Sequence, residues 1–250
     1  MMEKKVVISG IEELADFTAS LWFEHCAVSL GQKKYFTMAL SGGTTPAPFY
    51  KKLSEIREPA LWRNTHIFQA DERIVAPEHP DSNLRMIREN LTGKVPLPAE
   101  NLHPVAIAGN PEETASLYEA EIIQFFNLAG GAIPGFDLII LGIGADGHTA
   151  SIFPGSRVIQ ERKRLVDAVF LDQGKHNRVT LTLPVLKNAA QIVFLATGKS
   201  KAPVLKKILQ DNDTELPASL VSSGSGSTLY LLDPAAAADL PEDIVGNYDR

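Results

Sequence analysis

The sequence predicts an α/β fold with a mainly parallel sheet. Short runs rich in β-branched and aromatic residues alternate with segments of helical periodicity along the whole chain, and this alternation is typical of α/β folds. Asp137 to Leu141 is a continuously apolar run, as expected for a central strand that is covered on both faces. Hydrophobic residues make up 44% and charged residues 22% of the chain, so it can bury a core of ordinary size.

The first half of the chain follows this alternation. We predict strands at residues 6–8, 35–40, 66–69 and 102–105. Between the first two strands, apolar residues recur at helical spacing, namely Leu14, Phe17, Leu21, Trp22 and Val28. Thr45 is expected to cap a second helix that has Pro46 in its first turn. A polar loop is predicted over residues 71–81, followed by a helix over 82–91.

The second half begins with a strong helix signal. Asn110 can cap a helix that has Pro111 in its first turn and Glu113 at the third position after the cap, and this helix should run to about Leu128. Further strands are predicted at 137–141, 165–171, 179–183, 192–196 and 228–232, with a helix at 199–210 that has Pro203 in its first turn. Residues 130–135 and 222–227 are the least structured stretches, but both are too short for linkers. We therefore predict a single domain over residues 1–250.

Charge and cysteine content argue against several classes of protein. The net charge of -6 opposes a mainly electrostatic interaction with nucleic acid or anionic lipid. The single cysteine, Cys26, cannot form an internal disulfide or a thiolate metal cluster. No apolar run reaches the ~20 residues that span a bilayer, and the N-terminus is too polar for a signal peptide. We expect a cytoplasmic protein without nucleic-acid or membrane partners.

Ligands of open parallel sheets bind beyond the carboxyl ends of the strands, and three notable loops follow predicted strands. The first contains Ser41, Gly42, Gly43 and Thr44, whose backbone N–H groups and hydroxyls can bind phosphate. A tight strand-to-helix turn explains the same residues. Because the loop lacks the lysine of a P-loop, nucleotide binding is not expected.

The second loop begins with Asp71, Glu72 and Arg73. A carboxylate and a guanidinium at the end of a strand can orient a hydroxyl and pair with a phosphate, respectively. The alternative is a solvated charge cluster with a weak surface ion pair.

The third loop covers residues 142–151 and carries Asp146 and His148. A carboxylate two residues before the histidine can orient its ring for proton transfer, although a structural histidine remains an alternative. The glycines of this loop also fit a dinucleotide-binding pattern, but Pro154 follows too soon for the required helix. The other histidines have no comparable setting, namely His25, His66, His79, His103 and His176.

With these residues in view, the chain resembles the 6-phosphogluconolactonases, in a superfamily that also holds glucosamine-6-phosphate deaminase. The block 146–155 is the most specific, and the other matching blocks are 39–46, 71–73 with 81–83, the rest of 136–155, 178–184 and 198–202. The resemblance implies a Rossmann-like three-layer α/β/α sandwich. It also implies a carboxylic ester hydrolase that converts 6-phosphoglucono-δ-lactone to 6-phosphogluconate in the oxidative pentose phosphate pathway.

Two alternatives within the superfamily are a deaminase and a non-catalytic phosphosugar-binding module. Deaminases carry a glutamate five residues after the histidine, whereas this chain has Phe153, which cannot transfer protons. The chain also departs from the lactonase pattern at residues 175–177, where members often have Pro or Ser. Residues 222–225 and Tyr230 replace the usual Pro and Trp. These departures concern the rim of the substrate site.

On this resemblance we expect His148 to act as a general base that activates water, with Asp146 holding the imidazole tautomer. Phosphate should be bound by the loop 41–44 together with Arg73 and Lys201, and Arg178 is a further candidate. Asp71 and Gly144 complete the predicted substrate site. We expect no metal and no cofactor, and we favour a monomer.

Overall fold

The computed structural model describes residues 4–172, 174–221, 226–241 and 244. Within these ranges lie ten strands: β1 (Lys4–Ile8), β2 (Phe36–Leu40), β3 (Thr65–Gln69), β4 (Asp71–Arg73), β5 (Leu102–His103), β6 (Leu138–Gly142), β7 (Val166–Val169), β8 (Arg178–Leu181), β9 (Gln191–Ala196) and β10 (Ser227–Leu232).

Seven of these strands form one sheet in the order β1-β10-β9-β6-β2-β3-β5. Every neighbouring pair in it is parallel. The remaining strands form a small antiparallel sheet in the order β4-β8-β7. The predicted α/β fold with a mainly parallel sheet is therefore confirmed.

Helices connect the strands: α1 (Ile11–Gln32), α2 (Ala47–Leu53), α3 (Pro59–Arg63), α4 (Asn83–Ile87), α5 (Pro111–Phe126), α6 (Leu183–Lys187), α7 (Ala202–Leu209) and α8 (Pro217–Leu220). A π-helical turn over Arg88–Thr92 continues α4, and 3-10 turns lie at Ala99–Asn101, Arg157–Gln160 and Lys199–Lys201. Among the residues described, no helix has both the length and the apolar character that a membrane crossing requires.

Alternating side chains divide the interior into two apolar cores, one on each face of the large sheet. In β6, Ile139 and Leu141 belong to the first core, whereas Leu138 and Ile140 belong to the second. The first core also contains buried residues of α5 and α7, and the second contains the buried side of α1. This arrangement gives the three layers of helix, sheet and helix.

Several local predictions differ from the structure. Thr45 does not cap α2, because that helix begins one residue later, with Pro46 at the N-cap position and no side-chain cap. Val28 lies on the outer side of α1 and is 62% exposed. The predicted loop 71–81 begins as strand β4, and the predicted helix 82–91 is α-helical only to Ile87.

Other predictions hold. The Asn110 side chain accepts a hydrogen bond of 2.8 Å from the Glu113 backbone N–H, as the capping signal predicts. The short helices α3, α6 and α8 are not among the predicted elements, although each has a proline in its first turn. Of the weakly structured stretch 222–227, residues 222–225 lie outside the described ranges.

Candidate active site

Four neighbouring strands of the large sheet, β9, β6, β2 and β3, end at the same edge, and the segments that follow them enclose a cleft of about 190 Å³. This is the edge at which ligands of open parallel sheets bind. The cleft is lined by Ser41, Gly42, Gly43, Thr44, Thr45, Pro46, Asp71, Arg73, Asn83, Gly142, Ile143, Gly144, His148, Ala150, Arg178 and Lys201.

The loop after β2 forms one wall of the cleft and packs closely against Asn83. A Cβ atom on Gly42 would lie 1.8 Å from Asn83 Oδ1, so only glycine lets this amide approach the loop. Gly43 has a φ of 107°, which also favours glycine. Within the described part of the chain, the buried Ser41 Oγ and Asn83 Oδ1 have no hydrogen-bond partner. A hydroxyl and an amide oxygen are therefore available to a ligand.

Glu72 anchors the segment between β4 and α4. The residue is only 2% exposed. Its carboxylate accepts hydrogen bonds from the backbone N–H groups of Arg73, Asn83 and Leu84, each at 2.8 Å. The Gln69 amide and the Ser82 hydroxyl donate further bonds at 2.8 and 3.2 Å. This network fixes the start of α4, and with it Asn83.

Asp71 points into the cleft and is also buried, with 5% of its surface exposed. Its Oδ2 accepts a hydrogen bond of 2.6 Å from the Ser151 hydroxyl, while the Ser151 backbone N–H donates to Thr180 Oγ1 at 3.2 Å. The alternative of a solvated charge cluster is therefore wrong for both carboxylates of this segment. Asp71 is a rigidly held acceptor that can orient a ligand hydroxyl.

Arg73 and Arg178 lie opposite each other on the antiparallel strands β4 and β8. Like charges at such positions repel, and a bound anion would relieve this repulsion. Burial lowers the pKa of Arg178, the charge of Asp71 opposes this shift, and the charge of Arg73 adds to it. The buried Arg178 Nε has no hydrogen-bond partner among the described residues.

Lys201 adds a third cation from the turn after β9. Burial lowers its pKa, and the negative charge of Asp146 opposes that shift. Three cations thus line a cleft in a protein whose net charge is -6, which concentrates positive potential where an anionic ligand would bind.

The loop after β6 is folded into a tight turn by its own hydrogen bonds. The Gly144 N–H donates to the His148 carbonyl at 2.8 Å, and the Thr149 hydroxyl donates to the Gly142 carbonyl at 2.9 Å. Gly147 has a φ of 84°, a conformation that favours glycine. A Cβ atom on Gly144 would lie 2.1 Å from His148 Nδ1, so glycine is needed there for the imidazole to lie across the turn.

His148 and Asp146 form a hydrogen-bonded pair at this turn. His148 Nδ1 lies 2.6 Å from Asp146 Oδ1, and the same oxygen accepts a bond of 3.1 Å from the His148 backbone N–H. Burial raises the pKa of Asp146, but the charge of His148 and these hydrogen bonds outweigh it, so the pKa is lowered. The His148 side chain is 33% exposed and rests on the Phe153 ring, with centroids 4.6 Å apart.

The structure brings the predicted site residues together. All of them line the cleft except Asp146, which contacts it through His148. The dinucleotide alternative is wrong, because the fully described segment between β6 and β7 contains only a 3-10 turn and no α-helix. Sequence reasoning missed Asn83 and Ser151. Both belong to blocks that carried the family resemblance, but neither was assigned a role.

Comparison with known proteins finds relatives over most of the chain. Residues 10–230 match the model of a family described as glucosamine-6-phosphate isomerases/6-phosphogluconolactonase. A 6-phosphogluconolactonase of Nostoc is 39% identical over 215 residues, which cover 85% of this chain and 88% of that protein. The 6-phosphogluconolactonase of Homo sapiens is 39% identical over 239 residues, which cover 92% and 91%. The solved 6-phosphogluconolactonase from Trypanosoma cruzi has a TM-score of 0.85 at 32% identity, and the match covers 96% of this chain and 97% of that one.

Proposed function

The chain belongs to the glucosamine-6-phosphate isomerase and 6-phosphogluconolactonase family, and on this premise we propose that it is a 6-phosphogluconolactonase. It hydrolyses 6-phosphoglucono-δ-lactone to 6-phosphogluconate, a step of the oxidative pentose phosphate pathway. The observation that carries this function is the close similarity to lactonases over most of the chain. The paired His148 and Asp146 in a cleft lined by three cations supply the chemistry that this reaction needs.

In our mechanism His148 is the general base. Asp146 is ionised at neutral pH because its pKa is lowered, so it accepts a hydrogen bond from the Nδ1–H group and leaves the lone pair on Nε2. Nε2 removes a proton from a water molecule while the water oxygen attacks the lactone carbonyl carbon. The imidazolium that forms is stabilised by the adjacent carboxylate.

The tetrahedral intermediate then collapses. The bond between the carbonyl carbon and the ring oxygen breaks, and the ring oxygen takes the proton from the His148 imidazolium to become a hydroxyl. This transfer returns His148 to its neutral form, and the new carboxylic acid releases its own proton to solvent. General-base assistance of this kind contributes ~10²–10⁴-fold in rate, and no covalent intermediate is needed.

Substrate orientation comes from the opposite part of the cleft. We assign the phosphate to the loop 41–44 together with Arg73 and Arg178, whose mutual repulsion a dianion would relieve. Lys201, which also lines the cleft, contributes a further positive charge to phosphate binding. Asp71, held by Ser151, orients a sugar hydroxyl. Holding the phosphate places the carbonyl against His148, and this orientation supplies part of the rate.

The deaminase alternative is not favoured. The ring of Phe153 lies against His148, at the sequence position where deaminases carry a glutamate that transfers protons. An apolar ring at this position shields one face of the imidazole but cannot act as an acid or a base. Turnover of the lactone also separates the enzyme from a non-catalytic phosphosugar-binding module.

We further propose that the protein acts as a cytoplasmic monomer. A cytoplasmic location fits the proposed pathway. The one cysteine, Cys26, is buried with a free thiol, as is usual in a reducing compartment. All proposed site residues come from one chain, so the cleft needs no contribution from a second copy.

The test is the substitution His148→Gln, assayed by acid release from 6-phosphoglucono-δ-lactone after correction for spontaneous hydrolysis. We expect kcat to fall ~10²–10⁴-fold with little change in KM, because the amide cannot accept the proton. The matched control is His25→Gln, which changes a histidine of α1 outside the cleft and should keep the wild-type rate. A corrected rate for His148→Gln equal to that of the wild type would remove the proposed base.

A further inference from the structure

Two histidines and an aspartate from distant parts of the sequence meet at the rim of the cleft. His79 and Asp81 lie between β4 and α4, and His176 lies two residues before β8. Asp81 Oδ2 is 3.2 Å from His176 Nε2 and 3.9 Å from His79 Nδ1. One ligand atom from each residue lies within 4.8 Å of the other two, and the imidazole rings meet edge to face with centroids 5.3 Å apart.

We propose that His79, Asp81 and His176 form a binding site for Zn²⁺. Two imidazole nitrogens and one carboxylate oxygen are ligands that Zn²⁺ prefers, and a water would complete a tetrahedral shell. Bonds of ~2.0 Å at tetrahedral angles separate neighbouring ligand atoms by about 3.3 Å. The observed separations of 3.2 and 3.9 Å lie close to that value, so small side-chain movements complete the geometry.

A surface ion-pair cluster is the simpler explanation of the same contacts, but it accounts for less of the geometry. The three side chains are 41%, 56% and 42% exposed, and ion pairs at such exposure contribute little stability. The two imidazoles also converge on one carboxylate oxygen from two segments that are distant in the sequence. A shared cation explains this convergence, and the exposure leaves a path by which it can enter.

Backbone hydrogen bonds already hold the ligands in place. The His79 N–H donates to the Ala76 carbonyl, and the Ser82 N–H donates to the His79 carbonyl, both at 2.9 Å. The Asp81 N–H donates to His79 Nδ1 at 3.1 Å, so this nitrogen is unprotonated, and binding of Zn²⁺ would replace this hydrogen bond with a coordinate bond. The segment before β8 is joined to the loop by a bond of 2.8 Å from the Ile74 N–H to the Asn177 carbonyl. Such preorganisation lowers the entropy cost of binding.

The position of the site gives the ion a structural role. Arg73 Nη1 donates to the Asp81 carbonyl at 2.8 Å, the chain after Asp81 leads to Asn83, and the chain after His176 leads to Arg178. A bound Zn²⁺ would therefore join the two segments that carry these cleft residues. This differs from our prediction of a protein without a metal, because the sequence offers no sign that residues 79 and 176 meet. The proposal does not depend on the catalytic role of His148.

The test measures Zn²⁺ binding to the full chain after treatment with EDTA, by equilibrium dialysis against Zn²⁺ alone. We expect one more tightly bound Zn²⁺ per chain in the wild type than in His176→Gln or His79→Gln. The control His25→Gln should bind as the wild type does. At a Zn²⁺ concentration ~100-fold above Kd, the Tm of the wild type should rise by roughly 5–10 °C, and the Tm of the two site variants should rise by much less.

Equal Zn²⁺ stoichiometry in the wild type and in both site variants would overturn the proposal, since the ion would then be bound elsewhere, for example at His148 and Asp146. Loss of binding in His25→Gln as well, or no binding to the wild type below ~100 µM Zn²⁺, would also overturn it. Because both site histidines are partly exposed, we expect the variants to fold. If one variant has a lowered Tm without Zn²⁺, the other decides.

Discussion

Two carboxylates beside the cleft act in opposite ways. Glu72 is buried and accepts hydrogen bonds from three backbone N–H groups and two side chains. The Asp146 side chain, in contrast, is 52% exposed and hydrogen-bonds to the ring and the backbone of His148. The Glu72 carboxylate holds the start of α4 in place. The Asp146 carboxylate orients the imidazole of His148, which must exchange protons with water. Burial and the number of donors separate these two roles.

The largest effect expected from this difference is on stability. Glu72→Gln keeps the shape of the side chain but removes its charge and turns an N–H₂ group toward buried donors. We expect the free energy of unfolding to fall by about 3 kcal/mol or more, because hydrogen bonds to a buried charged group contribute ~1.5–3 kcal/mol each. Urea denaturation followed by circular dichroism measures this change.

A matched control for this substitution is Glu89→Gln. Glu89 accepts a hydrogen bond of 2.7 Å from Arg85 Nε, but its side chain is 59% exposed. The expected loss is below about 0.5 kcal/mol. If Glu72→Gln were as mild as this control, the buried network would not hold the start of α4 in the way described above.

An intermediate effect is expected from Gly144→Ala. The new Cβ would lie 2.1 Å from His148 Nδ1 and 2.4 Å from Asp146 Oδ1, so both side chains must move. We expect kcat for the lactone to fall ~10–100-fold, with a small change in unfolding free energy because these side chains are partly exposed.

The comparison for Gly144→Ala is Gly130→Ala, where a Cβ would meet no atom within 4 Å. This variant should keep wild-type activity in the same acid-release assay. A Gly144→Ala enzyme with wild-type kcat would show that the observed geometry of the His148 and Asp146 pair is not required for catalysis.

The smallest effect concerns pH. The folded-state pKa of Asp146 lies below its ordinary value of 3.8, so the stabilisation from this group is present above that value and is lost as the pH falls through the folded pKa. Because the side chain is half exposed, solvent screening limits this contribution to less than about 0.5 kcal/mol. The difference in unfolding free energy between the wild type and Asp146→Asn should therefore be constant well above pH 3.8 and shrink as the pH falls below that value. A difference that grows toward low pH would contradict the assignment.

The sequence predicts those features of the fold and of the site that depend on residues close to one another in the chain. Strands, the Asn110 cap and the loops at the strand ends are local patterns, and the parallel sheet then brings the loops after β2, β3, β6 and β9 together. The pairing of Asp146 with His148 is also local, since the two residues are two positions apart in the sequence. These parts of the fold and of the candidate site could be predicted.

The remaining features depend on contacts between distant segments. Nothing in the sequence places Arg178 opposite Arg73, because the antiparallel pairing of β4 with β8 joins segments about a hundred residues apart. Ser151 reaches Asp71 over 80 positions, and His176 reaches Asp81 over 95. Glu72 looks the same in the sequence as its neighbour Asp71, and only its burial and its hydrogen bonds reveal a structural role.

The strand order has a further consequence for biosynthesis. In the large sheet, β1 is hydrogen-bonded to β10, which also separates it from β9. As the ribosome extends the chain, β1 must therefore wait for β10 before its backbone groups are paired in this sheet. Until then the growing polypeptide presents an open edge formed by β9, to which another nascent chain could add a strand. This edge is covered only when β10 pairs with β9.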